Sequence, residues 1–381
     1  MMIRLAALAL SLTMAGPILA DVNVASPDDR IQFRLFLSDK GQLQYSVTFR
    51  AKPVIETSAL GISVNGVNLG DGAEIGQVET YKVNETYPWN GPHSTAVNNC
   101  NGVKVAMTHR QSRTAYTLEI RAYNDGIAFR HVVPGEGSRV PDEATEFRFA
   151  KAGQIFWHNL EESYENFYQR KLIGIRTGQY ATIPAGAWVA PPATILLPEN
   201  AGYVSITEGG LRHYAGMVLQ ADGDGGLSTR LGHAVPASWQ FRAYRPQFSV
   251  EEFAKPAAIT GTISQPWRIA MIAADLNGLV NCDIVHNVSD PPDPKLYPHG
   301  INTGYIKPGR AGWIYMDGGN NTIEGQKEFA DLLQQLGFEY NVIEGTWSRW
   351  PEAQLKELVD YSRQRGVKLL IWKHSGQLAD E

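Results

Sequence analysis

The sequence predicts a large antiparallel β-sandwich followed by a parallel α/β region. From residue 21 to about residue 301, apolar residues recur with a period of two, which is typical of half-buried strands. After a proline-rich segment at residues 289–294, the order becomes strand, helix, strand, helix, strand, which predicts a parallel sheet. A chain of 381 residues is long enough for each region to bury its own core.

Residues 1–20 are predicted to be a signal peptide and not part of the fold. Arg4 supplies the positive start, an apolar stretch too short to span a bilayer follows, and Ala20 is a small residue suited to a signal peptidase. We therefore expect an exported, periplasmic protein without a membrane span, cleaved after Ala20. The formal net charge of −5, without a basic or acidic block, argues against nucleic acid as a partner.

Residues 21–289 are predicted to form the sandwich. Alternating apolar residues at 31–37 and 43–49 flank a turn at residues 39–41, which predicts a β-hairpin. A second hairpin is predicted where residues 116–122 and 127–133 flank Asn124-Asp125-Gly126. Short strands at this spacing are typical of a large antiparallel sandwich. The sequence leaves open whether Cys100 and Cys282, which are far apart in this region, form a disulfide.

A linker is predicted at residues 290–307, and the α/β region at residues 308–381. Its strands are predicted at residues 313–317, 338–343 and 367–372. The last is a nearly continuous apolar run, of the kind that a parallel sheet buries on both faces.

Two helices are predicted between these strands. The first begins at Asn321, an N-cap residue with Glu324 as its capping-box partner, and ends at Gly337, which suits a left-handed C-cap. The second begins at Pro351, which fits the first turn of a helix, and ends at Gly366.

Polar and aromatic residues stand at the predicted C-terminal ends of the three strands. In parallel folds the loops at these ends converge on one cleft. Carboxylates that accept hydroxyl hydrogen bonds and rings that stack on C–H faces suit a sugar, so the predicted substrate is an oligosaccharide or α-glycoside. Each side chain could equally serve helix capping or packing. The candidate substrate-binding residues are Asp317, Glu344, Trp347, Trp372 and His374.

Four strings of the sequence, which follow one another in order, together resemble glycoside hydrolase family 97. The resemblance covers nearly all of the chain after residue 20. The strings are residues 121–130, RAYNDGIAFR; residues 203–211, YVSITEGGL, with Tyr214 and Met217; Pro266-Trp267-Arg268; and residues 307–311, KPGRA.

The resemblance implies an N-terminal β-super-sandwich packed on a catalytic (β/α)8 barrel, exo-acting α-glycosidase activity and a calcium ion near the substrate. A complete barrel takes about 250 residues, so residues 308–381 would supply roughly its first three strands, and we expect a truncated chain. Glu208, in the second string, matches a glutamate that the family's sandwich domain donates to calcium. Because calcium takes about six to eight oxygen ligands, Glu208 would be one of several.

The end of the third strand bears on the mechanism. Inverting members of the family carry His-Glu-Thr there, whereas this sequence has His374-Ser375-Gly376. Serine cannot act as a carboxylate base, so the resemblance favours the retaining, α-galactosidase-like members, whose nucleophile and acid/base residue would both lie beyond Glu381. No residue of this chain is therefore predicted to be catalytic. The alternatives are an α-glucosidase of the same family and a non-catalytic carbohydrate-binding sandwich.

Overall fold

The computed structural model describes residues 21–150, 153–159, 175–179, 183–236 and 254–373. The predicted signal peptide therefore lies outside the described residues. Antiparallel strands dominate as far as residue 273. The strands of this part are β1 Val22–Ala25, β2 Ile31–Leu37, β3 Leu43–Phe49, β4 Lys52–Ala59, β5 Ile62–Val64, β6 Val67–Asn68, β7 Ala73–Pro88, β8 Thr95–His109, β9 Thr114–Tyr123, β10 Gly126–Val133, β11 Ser138–Arg139, β12 Pro141–Glu143, β13 Glu146–Arg148, β14 Gln154–Asn159, β15 Ile175–Gln179, β16 Trp188–Leu196, β17 Tyr203–Gly209, β18 Met217–Ala221, β19 Gly226–Leu231, β20 Ile259–Thr260, β21 Ile263–Ser264 and β22 Trp267–Ala273.

Both predicted hairpins are confirmed. In the first, β2 and β3 pair from Ile31 opposite Phe49 to Leu37 opposite Leu43. In the second, β9 and β10 pair around a turn that leaves Gly126 with φ 151°. A Cβ atom at Gly126 would lie 2.3 Å from the carbonyl oxygen of Ala270 on β22, so glycine permits the close approach of these strands.

Two sheets form the sandwich. The smaller has the order β1-β2-β3-β4, and the larger has the order β13-β19-β18-β16-β17-β22-β10-β9-β8-β7, with β14, β15 and β21 attached beside it. Aromatic side chains from both sheets meet in the core. The rings of Phe33 and Tyr45 stack at 5.3 Å in the smaller sheet, and Tyr45 lies 5.4 Å from Phe129 of the larger. The predicted antiparallel sandwich is confirmed.

Two short helices, α1 Leu276–Val280 and α2 Ile284–Asn287, follow β22. Ile284 and Val288 bury their side chains with Trp267 and Ile269, on the face of β22 opposite to the sandwich core. Single 3-10 turns lie at Pro198–Asn200, Gly232–Ala234 and Gly300–Asn302. Among the described residues, no helix has both the length and the apolar character needed to cross a membrane.

The last described elements form the predicted parallel α/β region. Strands β23 Ala311–Trp313, β24 Tyr340–Ile343 and β25 Lys368–Ile371 pair in parallel in that order. The connections are α3 Ile314–Asp317, α4 Ile323–Leu336, a 3-10 turn at Gly345–Arg349 and α5 Glu352–Gln364. The predicted left-handed C-cap is confirmed at Gly337, with φ 70°.

Three details of the prediction for this region are wrong. The strand predicted at residues 313–317 ends at Trp313, because residues 314–317 form one helical turn in which the Asp317 carboxylate accepts the Trp313 N–H at 2.8 Å. Helix α4 is capped by Thr322, and not by Asn321, whose side chain bonds to Thr346 and Gln326.

The third error concerns β25, which the sequence predicts to be buried on both faces. Leu370 is 45% exposed and Ile371 is 51% exposed. The reason is that β25 lies at the edge of its sheet in the part of the chain that the structure describes.

Candidate functional site

Three of the predicted sugar-binding residues lie together at the C-terminal edge of the parallel sheet. Glu344 directly follows β24, and its Oε2 accepts the indole N–H of Trp313 at 2.9 Å. Trp347 lies in the 3-10 turn after Glu344 and donates its indole N–H to the carbonyl oxygen of Trp372, just after β25, at 2.8 Å. These two hydrogen bonds bring one carboxylate and three indole rings together at the ends of three strands.

Asp317 and His374 do not join this group. The Asp317 carboxylate caps its own helical turn through the Trp313 N–H, and the residue is exposed. His374 lies outside the described residues.

A chain of side-chain hydrogen bonds connects this edge to the interior behind it. Asn341 on β24 donates to Gln326 on α4, Gln326 donates to Asn321, and Asn321 donates to Thr346, at 2.9, 2.9 and 2.7 Å. Asn341 and Gln326 are fully buried. Because Thr346 lies in the turn between Glu344 and Trp347, these hydrogen bonds fix the loop that carries both residues.

Trp313 and Tyr315 belong to the candidate site, although the sequence analysis did not identify them. Their rings lie 5.2 Å apart, and Tyr315 is half exposed. Both were placed inside a longer predicted strand, where they would have lain on the same face. The helical turn after Trp313 instead places Tyr315 at the exposed edge. An aromatic surface beside a carboxylate is the arrangement that sugar-binding sites use.

The second candidate position, Glu208, lies in the sandwich on β17, directly opposite Arg268 on β22. Its Oε2 accepts from Arg268 Nη1 at 2.7 Å, and its Oε1 accepts the backbone N–H of Met217 at 3.0 Å. The side chain of Glu208 is 16% exposed, whereas that of Arg268 is completely buried.

Behind Glu208, Arg268 is bound by a second glutamate. Glu143 of β12 is fully buried and accepts from Arg268 Nη2 at 2.5 Å and from Gln265 Nε2 at 2.9 Å. Burial would raise the pKa of Glu143, but Arg268 and Gln265 hold it below its ordinary value. Burial would lower the pKa of Arg268, yet the charge of Glu143 raises it. Both groups of the pair are therefore ionised.

The cluster around Arg268 also contains His131 and Tyr214, and both are neutral at pH 7. Burial lowers the pKa of His131 to about 4, although its ring bonds to Gln265 at 2.9 Å. Burial and the nearby charge of Glu143 raise the pKa of Tyr214, whose hydroxyl donates to Glu143 at 3.2 Å. The one positive charge of Arg268 is thus shared by two carboxylates, the completely buried Glu143 and the partly exposed Glu208.

The Glu208 carboxylate is suited to act as one ligand of a hard cation. A carboxylate is the oxygen donor that calcium prefers, and each oxygen of Glu208 keeps a lone pair beyond the hydrogen bond it accepts. Over the described residues, no group of three or more His, Cys, Asp and Glu side chains could hold a metal ion. Glu208 could therefore serve as one ligand among several and not as a complete site.

Sequence reasoning missed Arg268 as the partner of Glu208, and Glu143 as the second partner of Arg268. A usable signal was present, since Arg268 and His131 occupy inward positions of apolar strands, where a charged or polar side chain requires a partner. The partner itself could not be identified, because Glu143 lies 125 residues before Arg268.

Comparison with known proteins decides the family. The family model described as "Glycosyl-hydrolase 97 N-terminal" matches residues 24–291. The chain belongs to this family. The matched residues extend from β1 to the segment just after α2, and so include the whole sandwich and the cluster around Arg268.

Two curated relatives are similar along nearly all of this chain. One, from Streptomyces bingchenggensis, is a "Probable retaining alpha-galactosidase", 27% identical over 98% of this chain and 56% of the relative. The other, from Bacteroides thetaiotaomicron, is a "Retaining alpha-galactosidase", 24% identical over 92% of this chain and 55% of the relative. The chain thus spans about half the length of the curated relatives that it matches.

Solved structures share the fold. A β-arabinopyranosidase matches with a TM-score of 0.73 and 19% identity, over 93% of this chain and 55% of the other. A family 97 enzyme from Pseudoalteromonas sp. strain K8, in complex with acarbose, matches with a TM-score of 0.70 and 22% identity, over 91% of this chain and 53% of the other. At these identities the comparison concerns the fold alone.

Proposed function

We propose that this chain forms part of a retaining, exo-acting α-galactosidase of family 97. The observation that carries the proposal is the pair of curated relatives, both described as retaining α-galactosidases, whose similarity runs through the sandwich and the parallel region. Ser375, which replaces the glutamate of the inverting members, supports the retaining mechanism. The aromatic and carboxylate group around Glu344 supports a sugar substrate.

In this proposal the described residues bind the sugar, and the carboxylates that cleave it lie beyond Glu381. Glu344, held through Oε2 by Trp313, accepts sugar hydroxyls through its other oxygen. The rings of Trp347 and Trp372 contact the C–H face of the sugar, and their mutual hydrogen bond fixes the distance between the loops. His374 and Asp317 stay proposed sugar ligands on the sequence alone, because His374 lies outside the described residues and the Asp317 carboxylate caps its own helical turn.

Glu208 is proposed to supply one oxygen ligand to a calcium ion. Two carboxylates share the one positive charge of Arg268, which favours a bound cation at the partly exposed Glu208, and the resemblance to family 97 supports calcium as that cation. When bound, the ion would stabilise negative charge close to the sugar. Arg268 and the Met217 N–H hold the carboxylate in place in its absence.

The activity is tested with p-nitrophenyl α-galactoside and α-glucoside on the full-length protein. We expect faster hydrolysis of the galactoside, with proton NMR detecting α-galactose as the first anomer released. The 381-residue chain is expected to bind galactosides without hydrolysing them. A preference for the glucoside would favour the α-glucosidase alternative, and first release of the β-anomer would overturn the retaining mechanism.

Replacement of Glu344 by glutamine tests the sugar site directly. The amide keeps an oxygen for the Trp313 N–H but loses the charge, so we expect the Kd for methyl α-galactoside to rise about tenfold. Isothermal titration calorimetry measures this Kd. Glu352→Gln, on the exposed first turn of α5, is the matched control and should leave it unchanged. Equal affinities for Glu344→Gln and the unsubstituted protein would remove Glu344 from the site.

The α-glucosidase alternative has its own support. The Pseudoalteromonas enzyme with the same fold was crystallised with acarbose and, as an E480Q variant, with panose. The two substrate classes are separated by the comparison of galactoside and glucoside rates in the assay above.

A further inference from the structure

Glu208 is held by two contacts that differ in kind. The Met217 N–H, which Oε1 accepts, belongs to the backbone at the start of β18 and is fixed by the sheet. The Arg268 guanidinium, which Oε2 accepts, reaches it from the opposite residue of β22. A carboxylate bonded through both oxygens cannot rotate about its terminal bond without losing one of them.

Arg268 is itself held by several contacts. Its side chain is completely buried, and Glu143 binds it through Nη2 and Nε while Nη1 is directed at Glu208. Because the guanidinium is planar and Glu143 engages one of its edges, the direction of Nη1 is fixed from inside the sandwich. Gln265 and Tyr214 in turn bind Glu143.

We propose that Arg268 is a positioning residue for Glu208, holding its carboxylate in the orientation in which it meets a cation. This inference rests on the proposed role of Glu208 as a calcium ligand. Side chains that orient a ligand without touching the metal commonly govern affinity, because a preorganised ligand loses less freedom when the ion binds. Arg268 would do so from the neighbouring strand β22, on the core side of the sheet.

Two variants test the orientation without changing the charge of the cluster. In Arg268→Lys the ammonium keeps one positive charge but lacks the planar fork that reaches both glutamates. We expect the ammonium to stay paired with Glu143, whose carboxylate is completely buried. In Arg268→Gln combined with Glu143→Gln, both buried charges disappear together. Neither variant changes the summed formal charge of residues 143, 208 and 268, so the electrostatic attraction of the ion is matched. The second variant also provides the test if the lysine variant does not fold.

The measurement is the calcium Kd of the full-length protein by isothermal titration calorimetry. We expect each variant to raise the Kd by about tenfold, the lower end of the effect known for residues that orient metal ligands. Arg148→Lys, the same replacement at an arginine paired with Asp222 on the sandwich surface, is the control and should leave the Kd unchanged.

A double-mutant cycle separates positioning from a general structural effect. Glu208→Gln alone should raise the Kd, and Arg268→Lys should then add nothing, because the residue it orients is no longer a ligand. If Glu208→Gln leaves calcium binding unchanged, the proposed role of Glu208 fails. If Glu208→Gln weakens binding but both Arg268 variants bind normally, or if Arg268→Lys weakens binding equally in the Glu208→Gln background, the positioning role of Arg268 is overturned and that of Glu208 stands.

Discussion

Replacement of Arg268 by methionine is expected to lower the free energy of unfolding by about 3–5 kcal/mol. Methionine fills much of the space but leaves the fully buried carboxylate of Glu143 without a countercharge. Gln265 and Tyr214 would still donate to it, yet two neutral donors replace little of what a bidentate guanidinium supplies. Urea unfolding at pH 7, followed by tryptophan fluorescence, measures the change.

Two further variants show whether the loss comes from the buried charge. Arg148→Met breaks a pair with Asp222 that is one-third exposed, and it should cost no more than about 1 kcal/mol. Adding Glu143→Gln to Arg268→Met removes the uncompensated charge and should restore part of the lost stability. If Arg268→Met is as stable as the unsubstituted protein, or if the double variant is less stable than the single one, this account is wrong.

The hairpins show which part of the fold the sequence could predict. Their turns and their alternation are local, and a shift of one residue would move every apolar side chain of β2 or β10 to the wrong face. The register in the structure therefore follows from the pattern, with Ile31, Phe33 and Leu35 all completely buried. The parallel order β23-β24-β25 was predictable for a similar reason, since helices of the right length separate the strands.

The details that failed depend on contacts distant in sequence. Asn321 and Thr322 are both good N-caps, and the choice is decided by Thr346, which binds the Asn321 side chain from the loop after β24. Glu344 could be placed at a strand end, but its partner Trp313 comes from another strand. Likewise, nothing local connects Glu143 with Arg268. Residue types and strand ends were thus predictable, whereas the pairing of polar groups across elements was not.

Acidification is expected to destabilise the protein through His131 before Glu143 is protonated. Gln265 uses its amide nitrogen to donate to Glu143, so its oxygen must accept from His131 Nδ1, which therefore carries the proton of the neutral ring. His131 Nε2 is buried and has no hydrogen-bond partner among the described residues. A second proton would thus be buried without an acceptor, and Arg268 nearby opposes the added charge.

The lowered pKa of His131 determines whether acid raises or lowers the stability of the folded protein, and over which pH range. Well above pH 6.5 the histidine is neutral in both states and contributes nothing to the pH dependence of stability. Between about pH 6.5 and its folded pKa of about 4, the unfolded chain binds a proton that the folded chain does not, so stability falls as the pH falls. This difference between the unfolded and folded pKa of His131 corresponds to a loss of about 3 kcal/mol in the free energy of unfolding over the whole pH range. The pKa of Glu143 is instead lowered, so its contribution is present above its unfolded pKa and is lost only at lower pH.

His131→Phe should flatten the pH dependence of stability between pH 6.5 and 4.5. Phenylalanine keeps a ring beside Tyr116, and the backbone N–H of residue 131 still donates to Gln265, so the cluster retains its other bonds. Urea unfolding at several pH values in this range measures the slope, with His299→Phe, at an exposed position between α2 and β23, as the control. A slope that His131→Phe leaves unchanged would assign the acid sensitivity to other groups, whereas a flattened slope with His299→Phe unchanged would identify His131 as its source.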